Sequence, residues 1–294
     1  MSSAPDGLLV VDKPAGWTSH DVVGRVRRLA RTRKVGHAGT LDPMATGVLV
    51  LGIGRATRLL GHLALTDKAY DATVRLGATT VTDDAEGDVV EVRDASGVTD
   101  EALAAGLAAL TGRLSQVPSA VSAVKVDGVR SYARVRAGES VELAARSVLV
   151  SRLALLERHG DDLDVAVECS SGTYVRALAR DLGQALGVGG HLTALRRTRV
   201  GSFGLDRART LERLGGEGEL DAAVVRLDDA VRTAFPVREL DAAEALDLSH
   251  GRRLAPTGAG GVSGAFAPDG RCVALVEDRD GAARPTVVFA PAAS

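Results

Sequence analysis

Apolar positions along the chain fall mainly in short runs and alternations separated by glycine- and proline-bearing turns, with fewer stretches at helical spacing. Leu8-Leu-Val-Val11 is a strand-length apolar run, ended by the turn composition Asp12-Lys13-Pro14-Ala-Gly16. Behind the capping residues Thr18, Ser19 and Asp21, apolar side chains recur at Val22, Val23, Val26, Leu29 and Ala30. That spacing predicts a helix, and its other face carries Arg25, Arg27, Arg28, Arg31 and Arg33. A glycine-containing loop, Gly36 to Gly47, leads into 48–53, a continuous apolar run that reads as a strand buried on both faces. Further strand patterns lie at 70–76, 88–92, 148–155 and 163–169. Helical patterns fill 100–110 and 173–186, the second stopped near Gly187, Gly189 and Gly190. This order predicts an α+β fold with a large, mostly antiparallel mixed sheet flanked by helices.

After Asp206 the pattern changes. Residues 212–219 are polar and glycine-containing, and 221–231 reads as a helix. A short helix at 242–248 then precedes three strand-like runs at 262–266, 271–277 and 286–289, divided by Pro268-Asp-Gly270 and Asp278-Arg-Asp-Gly281. A chain of 294 residues is long for one compact domain. The expectation is a large domain at 1–232, with an insertion at about 113–147, and a small β-rich domain at 233–294.

Composition narrows the class. An apolar fraction of 45% excludes a disordered chain. The longest uncharged stretch, Leu254 to Pro268, falls short of the roughly 18–20 apolar residues of a membrane span. The first residues carry no basic, apolar leader, so the expected location is the cytoplasm, without membrane contact. Cys169 and Cys272 lack metal-ligand spacing and read as reduced. The net charge of −2 argues at first against a nucleic-acid partner, but it is a cancellation. Residues 1–60 hold nine lysines and arginines against four acidic residues, whereas 61–100 hold three against nine. Of the 36 basic residues, only Lys13, Lys34, Lys68 and Lys125 are lysines, so most positive charge sits on guanidinium forks suited to phosphate. Phosphate binding, if present, is expected on one side of the molecule.

The sequence holds no phosphate-binding Gly-x-x-x-x-Gly-Lys-Ser/Thr, no complete dinucleotide fingerprint, no His-Glu-x-x-His and no Gly-x-Ser-x-Gly. No cofactor and no metal are therefore expected. What remains is Lys34-Val-Gly-His-Ala-Gly-Thr-Leu-Asp-Pro-Met-Ala-Thr-Gly-Val-Leu-Val-Leu-Gly52, in which Asp42 sits among Gly36, Gly39 and Gly47, where a ligand can approach the backbone. On its residues alone, Asp42-Pro43 reads either as a reactive carboxylate or as a turn with a local cap. Tyr70, Tyr174 and Leu195 read equally as core residues, Arg176 as an ordinary helix-start arginine and His37 as a solvated loop histidine.

The wording of several separated segments, in one order, resembles the TruB family of bacterial tRNA pseudouridine synthases. Lys34–Gly52 is similar to the family's active-site segment, whose Gly-Thr-Leu-Asp-Pro carries the nucleophile. Gly7–Ser19 resembles its opening strand and loop, and Asp67–Tyr70 with Leu76–Asp83 and Gly87 its second motif. Cys169–Gly183 resembles the third motif, and Gly190–Arg197 the segment that closes the pocket. Gln116–Gly128 with Tyr132 resembles its RNA-gripping insertion. In that insertion the family usually reads Pro-Pro followed by Tyr-Ser-Ala. Here Pro118 is followed by Ser119, and Val121 stands where the tyrosine is expected.

The resemblance implies the pseudouridine synthase fold with a small PUA-like RNA-binding domain. It implies isomerisation of uridine 55 in the T loop of tRNA on a flipped-out base, with no added cofactor. Asp42 would be the nucleophile, Arg176 its ion-pair partner, and Tyr70 the ring that faces the base. His37, Tyr174, Leu195, Lys13 and Lys125 would bind substrate. Arg25 to Arg33, Lys34, Arg55, Arg58, Arg196, Arg197 and Arg199 would hold the RNA backbone. The partner expected is tRNA through its T stem-loop, bound by a monomer with no obligatory protein partner. A guide-RNA-dependent relative and a non-catalytic tRNA-binding module are the alternative readings.

Overall fold

The computed structural model describes residues 5–119, 125–126, 129–130 and 143–291, the two dipeptides by backbone alone. The chain builds an eleven-stranded mixed sheet and a separate four-stranded sheet near the C-terminus. The main path of the large sheet runs Arg209–Thr210, Gly7–Lys13, Thr46–Ile53, Gly190–Val200, Lys68–Leu76, Asp162–Cys169, Arg146–His159, Gly112–Gln116. Pairing is antiparallel except where Gly7–Lys13 meets Arg209–Thr210 and where Thr46–Ile53 meets Gly190–Val200.

Local chemistry explains the elements that frame the site. The Ser19–Leu29 helix starts on a capping box: the Asp21 amide donates to the Thr18 hydroxyl (3.1 Å) and the Thr18 amide to the Asp21 carboxylate (2.9 Å). Its Val22, Val23 and Val26 are buried against the sheet. The Val175–Ala185 helix buries Val175, Leu178, Ala179 and Leu182 on the same face. Its last turn packs on backbone: a Cβ at Gly183 would lie 2.1 Å from the Gly189–Gly190 peptide, so glycine is required there. Thr46–Ile53 is buried along nearly its whole length, because it is covered on both faces.

A second apolar cluster lies on the other face. It joins Leu8, Val10, Val48 and Val50 of the large sheet to Leu227 and Val231 of the Leu227–Ala234 helix, to Phe266 and Leu275 of the C-terminal sheet and to Phe289 just after its last strand. Arg55 and Arg58, expected at the RNA backbone, also tie this junction. They donate to the carbonyls of Phe289 (3.1 Å) and Val288 (2.7 Å), and Arg55 also pairs with Asp6. Among the described residues no helix is long and apolar enough to cross a membrane. Cys169 and Cys272 are free and buried.

One expected element is corrected. Residues 221–231 are not one helix. Short helices at Glu219–Ala223 and Leu227–Ala234 are separated by Val225–Arg226, which pairs as a strand with Gly7 and Leu8. The β-branched pair Val224 and Val225 favours extension at this sheet edge. Gly190–Arg197, given no secondary structure from the sequence, belongs to an eleven-residue strand, Gly190–Val200, at the centre of the sheet, and its Leu195 and Arg197 reach the pocket. Register shifts at Leu192/Ala194 and Arg197/Arg199 break the two-residue alternation by which a strand is recognised.

Candidate active site

Asp42 lies in the loop between the short strand Val35–His37 and Thr46–Ile53, and the loop is pinned from three directions. From the helix, the Ser19 hydroxyl accepts from the Leu41 amide (2.9 Å) and donates to the Leu41 carbonyl (3.1 Å). From the first loop, the Gly16 amide donates to the Pro43 carbonyl (2.9 Å), and the Lys13 ammonium donates to the carbonyls of Trp17 (2.6 Å), Pro14 (2.9 Å) and Pro43 (3.1 Å). From the sheet, Arg197 donates to the carbonyls of Val48 (2.7 Å), Gly39 (3.1 Å) and Thr40 (3.4 Å).

These contacts change two roles. Lys13, expected to bind substrate, has no exposed surface, and its donors are spent on backbone carbonyls; it holds the loop. Arg197, expected at an RNA phosphate, is 1% exposed and lies opposite both Gly47 and Tyr70 in the sheet register. Gly47 has φ +96°, and a Cβ there would lie 2.2 Å from the Arg197 carbonyl, so only glycine lets the two strands meet. Two other arginines expected at the RNA have carboxylate partners: Arg196 pairs with Asp12 (2.8 Å), and Arg199 with Asp67 (2.7 Å) and Glu168 (3.2 Å).

Above the loop is a cavity of about 280 Å³, with Asp42, Tyr70, Tyr174, Arg176 and Leu195 in its wall together with Lys68 and Arg197. The structure thus gathers five of the eight expected site residues. Arg176, from the first turn of the Val175–Ala185 helix, is 5% exposed and bridges two carboxylates, Asp42 at 3.0 Å and Asp84 at 3.4 Å. It also donates to the Thr82 carbonyl (2.8 Å). Asp42 keeps 36% of its side chain open. Asp84 was not anticipated; it is buried and accepts from the Thr82 hydroxyl and the Glu86 amide. Its only signal in the sequence is its place in an acidic turn beside the second motif. Gln116 was also missed as a site residue. It bonds both backbone groups of Tyr174 (2.8 and 3.1 Å), fixing the helix start that aims Arg176.

Tyr70 is buried with its phenol beside Arg197, and burial raises its pKa above the ordinary tyrosine value. It therefore stays neutral at physiological pH. His37 is outside the cavity wall. Its ring packs edge-on against His20 at 5.5 Å, and burial, His20 and Arg197 all lower its pKa, favouring the neutral ring. Lys125 lies in a two-residue strand, Lys125–Val126, paired with Val129–Arg130; its side chain, and Val121 and Tyr132, fall outside the described residues. Among the described residues, no three His, Cys, Asp or Glu side chains gather as a metal site.

Two lysines give the site a pH signature. Burial pulls Lys13 down to about 8 against the opposing pull of Asp42, and Lys68, which also lines the cavity, to about 8. Above that pH Lys13 loses a donor while three carbonyls still need one, so turnover is expected to decline with a midpoint near 8. Stability moves the other way. Between about 8 and the unfolded value of 10.5 the unfolded chain binds more protons, so the lysine contribution stabilises the fold as pH rises. A rate profile flat to pH 9.5, or a decline that tracks the melting temperature, would contradict this assignment.

Comparison with known proteins places the chain in a family. Residues 27–175 match the TruB family pseudouridylate synthase N-terminal domain. Residues 176–232 match the tRNA pseudouridylate synthase B C-terminal domain, and 235–290 the tRNA pseudouridine synthase II C-terminal domain. A protein of Thermobifida fusca named tRNA pseudouridine synthase B is 59% identical over 97% of this chain and 99% of its own. One of the same name from Rhodococcus jostii is 61% identical over 97% and 94%. Among solved structures, a chain of a Cbf5-Nop10-Gar1 complex superposes with a TM-score of 0.75 at 26% identity, covering 97% of this chain and 85% of that one. By the family match over residues 27–175 and by relatives about 60% identical along almost its whole length, the chain belongs to the TruB family of pseudouridylate synthases.

Proposed function

We propose that this protein isomerises uridine to pseudouridine in tRNA, at position 55 of the T loop, with Asp42 as nucleophile. One observation carries the reading: a carboxylate held on one side by a buried arginine and open on the other to a cavity walled by Tyr70 and Leu195. The reaction breaks the N1–C1′ glycosidic bond, turns the base and joins C5 to C1′; a proton leaves C5 and one is taken up at N1. It is redox-neutral and consumes no second substrate, which suits a site built from one nucleophile and its positioning groups. A base inside folded RNA must leave its stack to be reached. Tyr70 and Leu195 offer it apolar surface, while Arg176 keeps the Asp42 carboxylate aimed.

The approximately 60% identical relatives that carry the name tRNA pseudouridine synthase B support a tRNA substrate. The exposed arginine face of the Ser19–Leu29 helix suits its phosphates. In this reading the catalytic domain spans 1–232 and the sheet after residue 233 is a PUA-like unit contacting RNA outside the pocket, in a monomer that works in the cytoplasm. A subunit that needs accessory components, as in the complex containing the Cbf5 chain, is the second reading, which the 59–61% identical synthases do not favour. One experiment separates them. The purified chain is incubated with an unmodified T-arm transcript, and pseudouridine is located by carbodiimide labelling and mass spectrometry. Product at the T-loop uridine, without added protein or guide, is the expected result. Its absence, with activity restored by accessory factors, would favour the second reading.

A further inference from the structure

A second concavity, of about 390 Å³, opens beside the catalytic loop and is lined by Gly16, Trp17, His20, Asp21, Gly24 and Arg28. Trp17 is the chain's one tryptophan, and it is 37% exposed in polar surroundings. Its backbone is fixed rather than loose: Lys13 donates to the Trp17 carbonyl, and the preceding Gly16 amide donates to the Pro43 carbonyl, one residue from Asp42. His20 is exposed on one side and meets the His37 ring on the other, so an unbroken path of contacts runs from this concavity to the strand that enters the Asp42 loop. Asp21 is engaged in the helix cap, which offsets its charge locally. Arg28 is exposed, makes no ion pair among the described residues, and lies on the basic face with Arg27.

We propose that this concavity is a nucleotide subsite, in which a base of the substrate RNA next to the flipped uridine stacks on Trp17 while a neighbouring phosphate pairs with Arg28. The inference rests on the tRNA reading above and adds a subsite to it. An exposed indole sharing one concavity with an imidazole and a guanidinium is the combination that takes a flat, polar-edged ring followed by an anion, whereas an aliphatic or acidic partner would use only part of it. The anchoring to Pro43 adds the geometric reason. RNA seated over Asp42 crosses the rim on which Trp17 stands, and the binding there is transmitted to the loop that holds the nucleophile.

The lone tryptophan makes the test direct. The full chain is titrated with a T-arm transcript while Trp17 emission and its quenching by acrylamide are followed, with filter retention of the RNA measured in parallel. Stacking should change the emission and cut acrylamide access severalfold. Trp17→Leu should raise KM about tenfold with a smaller effect on kcat, and Trp17→Phe, which keeps a flat face, should recover most of that loss. Arg28→Gln should raise KM and flatten the salt dependence of binding by about one unit of slope. Retained RNA that leaves Trp17 as accessible as before, with Trp17→Leu within twofold of the parent in KM, overturns the subsite alone. Failure to retain the RNA at all overturns the tRNA reading with it.

Discussion

Asp42→Asn is expected to form no measurable pseudouridine, with the rate down at least about 10³-fold, while T-arm affinity stays within about threefold of the parent. The substitution keeps the shape and one oxygen toward Arg176 but removes the charge and the nucleophile. Because Asp42 is open over 36% of its side chain and Arg176 retains Asp84, little of the fold depends on the missing charge. The expected pattern is therefore catalytic loss with an unchanged melting temperature. Asp42→Ala gives the same answer and removes the chance that slow deamidation restores the acid. Multiple-turnover product from pure Asp42→Ala, measured by carbodiimide labelling of the T-arm RNA, would remove Asp42 from the nucleophile's role and leave its arginine pairing as a structural feature.

The parts of the molecule that were readable from the sequence are those whose rules are local. The capping box at Thr18 and the valines behind it specify the Ser19–Leu29 helix within eleven residues. The apolar run before Ile53 carries its own evidence of two-sided burial. The strand Gly190–Val200 does not, because two register shifts scramble its alternation and because arginines occupy positions whose partners, Asp12, Asp67 and Glu168, come from far along the chain. The helix read at 221–231 fails for a related reason. Pairing of Val225 with Leu8 is a tertiary event that outweighs a helical pattern.

The same divide runs through the site. Asp42, Tyr70 and Arg176 could be named from motif wording, and the cavity gathers them. Nothing in the wording distinguishes a lysine or arginine that will touch a phosphate from one that will be buried on carbonyls. Lys13 and Arg197 belong to the second kind because the loop they hold exposes carbonyls that no strand can satisfy, and a buried cation is the strongest donor available there. Asp84 is invisible for the complementary reason. A carboxylate becomes important when a turn buries it next to an arginine 92 positions away, and no local pattern encodes that meeting.

Arg176→Met separates the two things this arginine does. The side chain is 5% exposed and its removal leaves Asp84, itself 3% exposed, without its cation and the Thr82 carbonyl without a donor. Breaking a buried pair from one side costs about 3–5 kcal/mol. At about 2–4 °C per kcal/mol for a chain of this size, that is a fall in melting temperature on the order of 10 °C. Turnover should fall by at least about 10²-fold, because Asp42 loses the group that aims it at the cavity. Adding Asp84→Asn should recover most of the stability, since a neutral amide can be buried on the Glu86 amide and Thr82 hydroxyl with a smaller penalty, while leaving the rate as low as in the single variant. Arg176→Lys should fall between, because one ammonium cannot span two carboxylates and a carbonyl as a planar fork does. Recovery of the melting temperature without recovery of turnover assigns Arg176 a task at the nucleophile beyond neutralising Asp84. If the double variant regains the rate as well, the arginine serves only to keep Asp84 buried, and the orientation of Asp42 comes from the loop pinned by Ser19, Lys13 and Arg197.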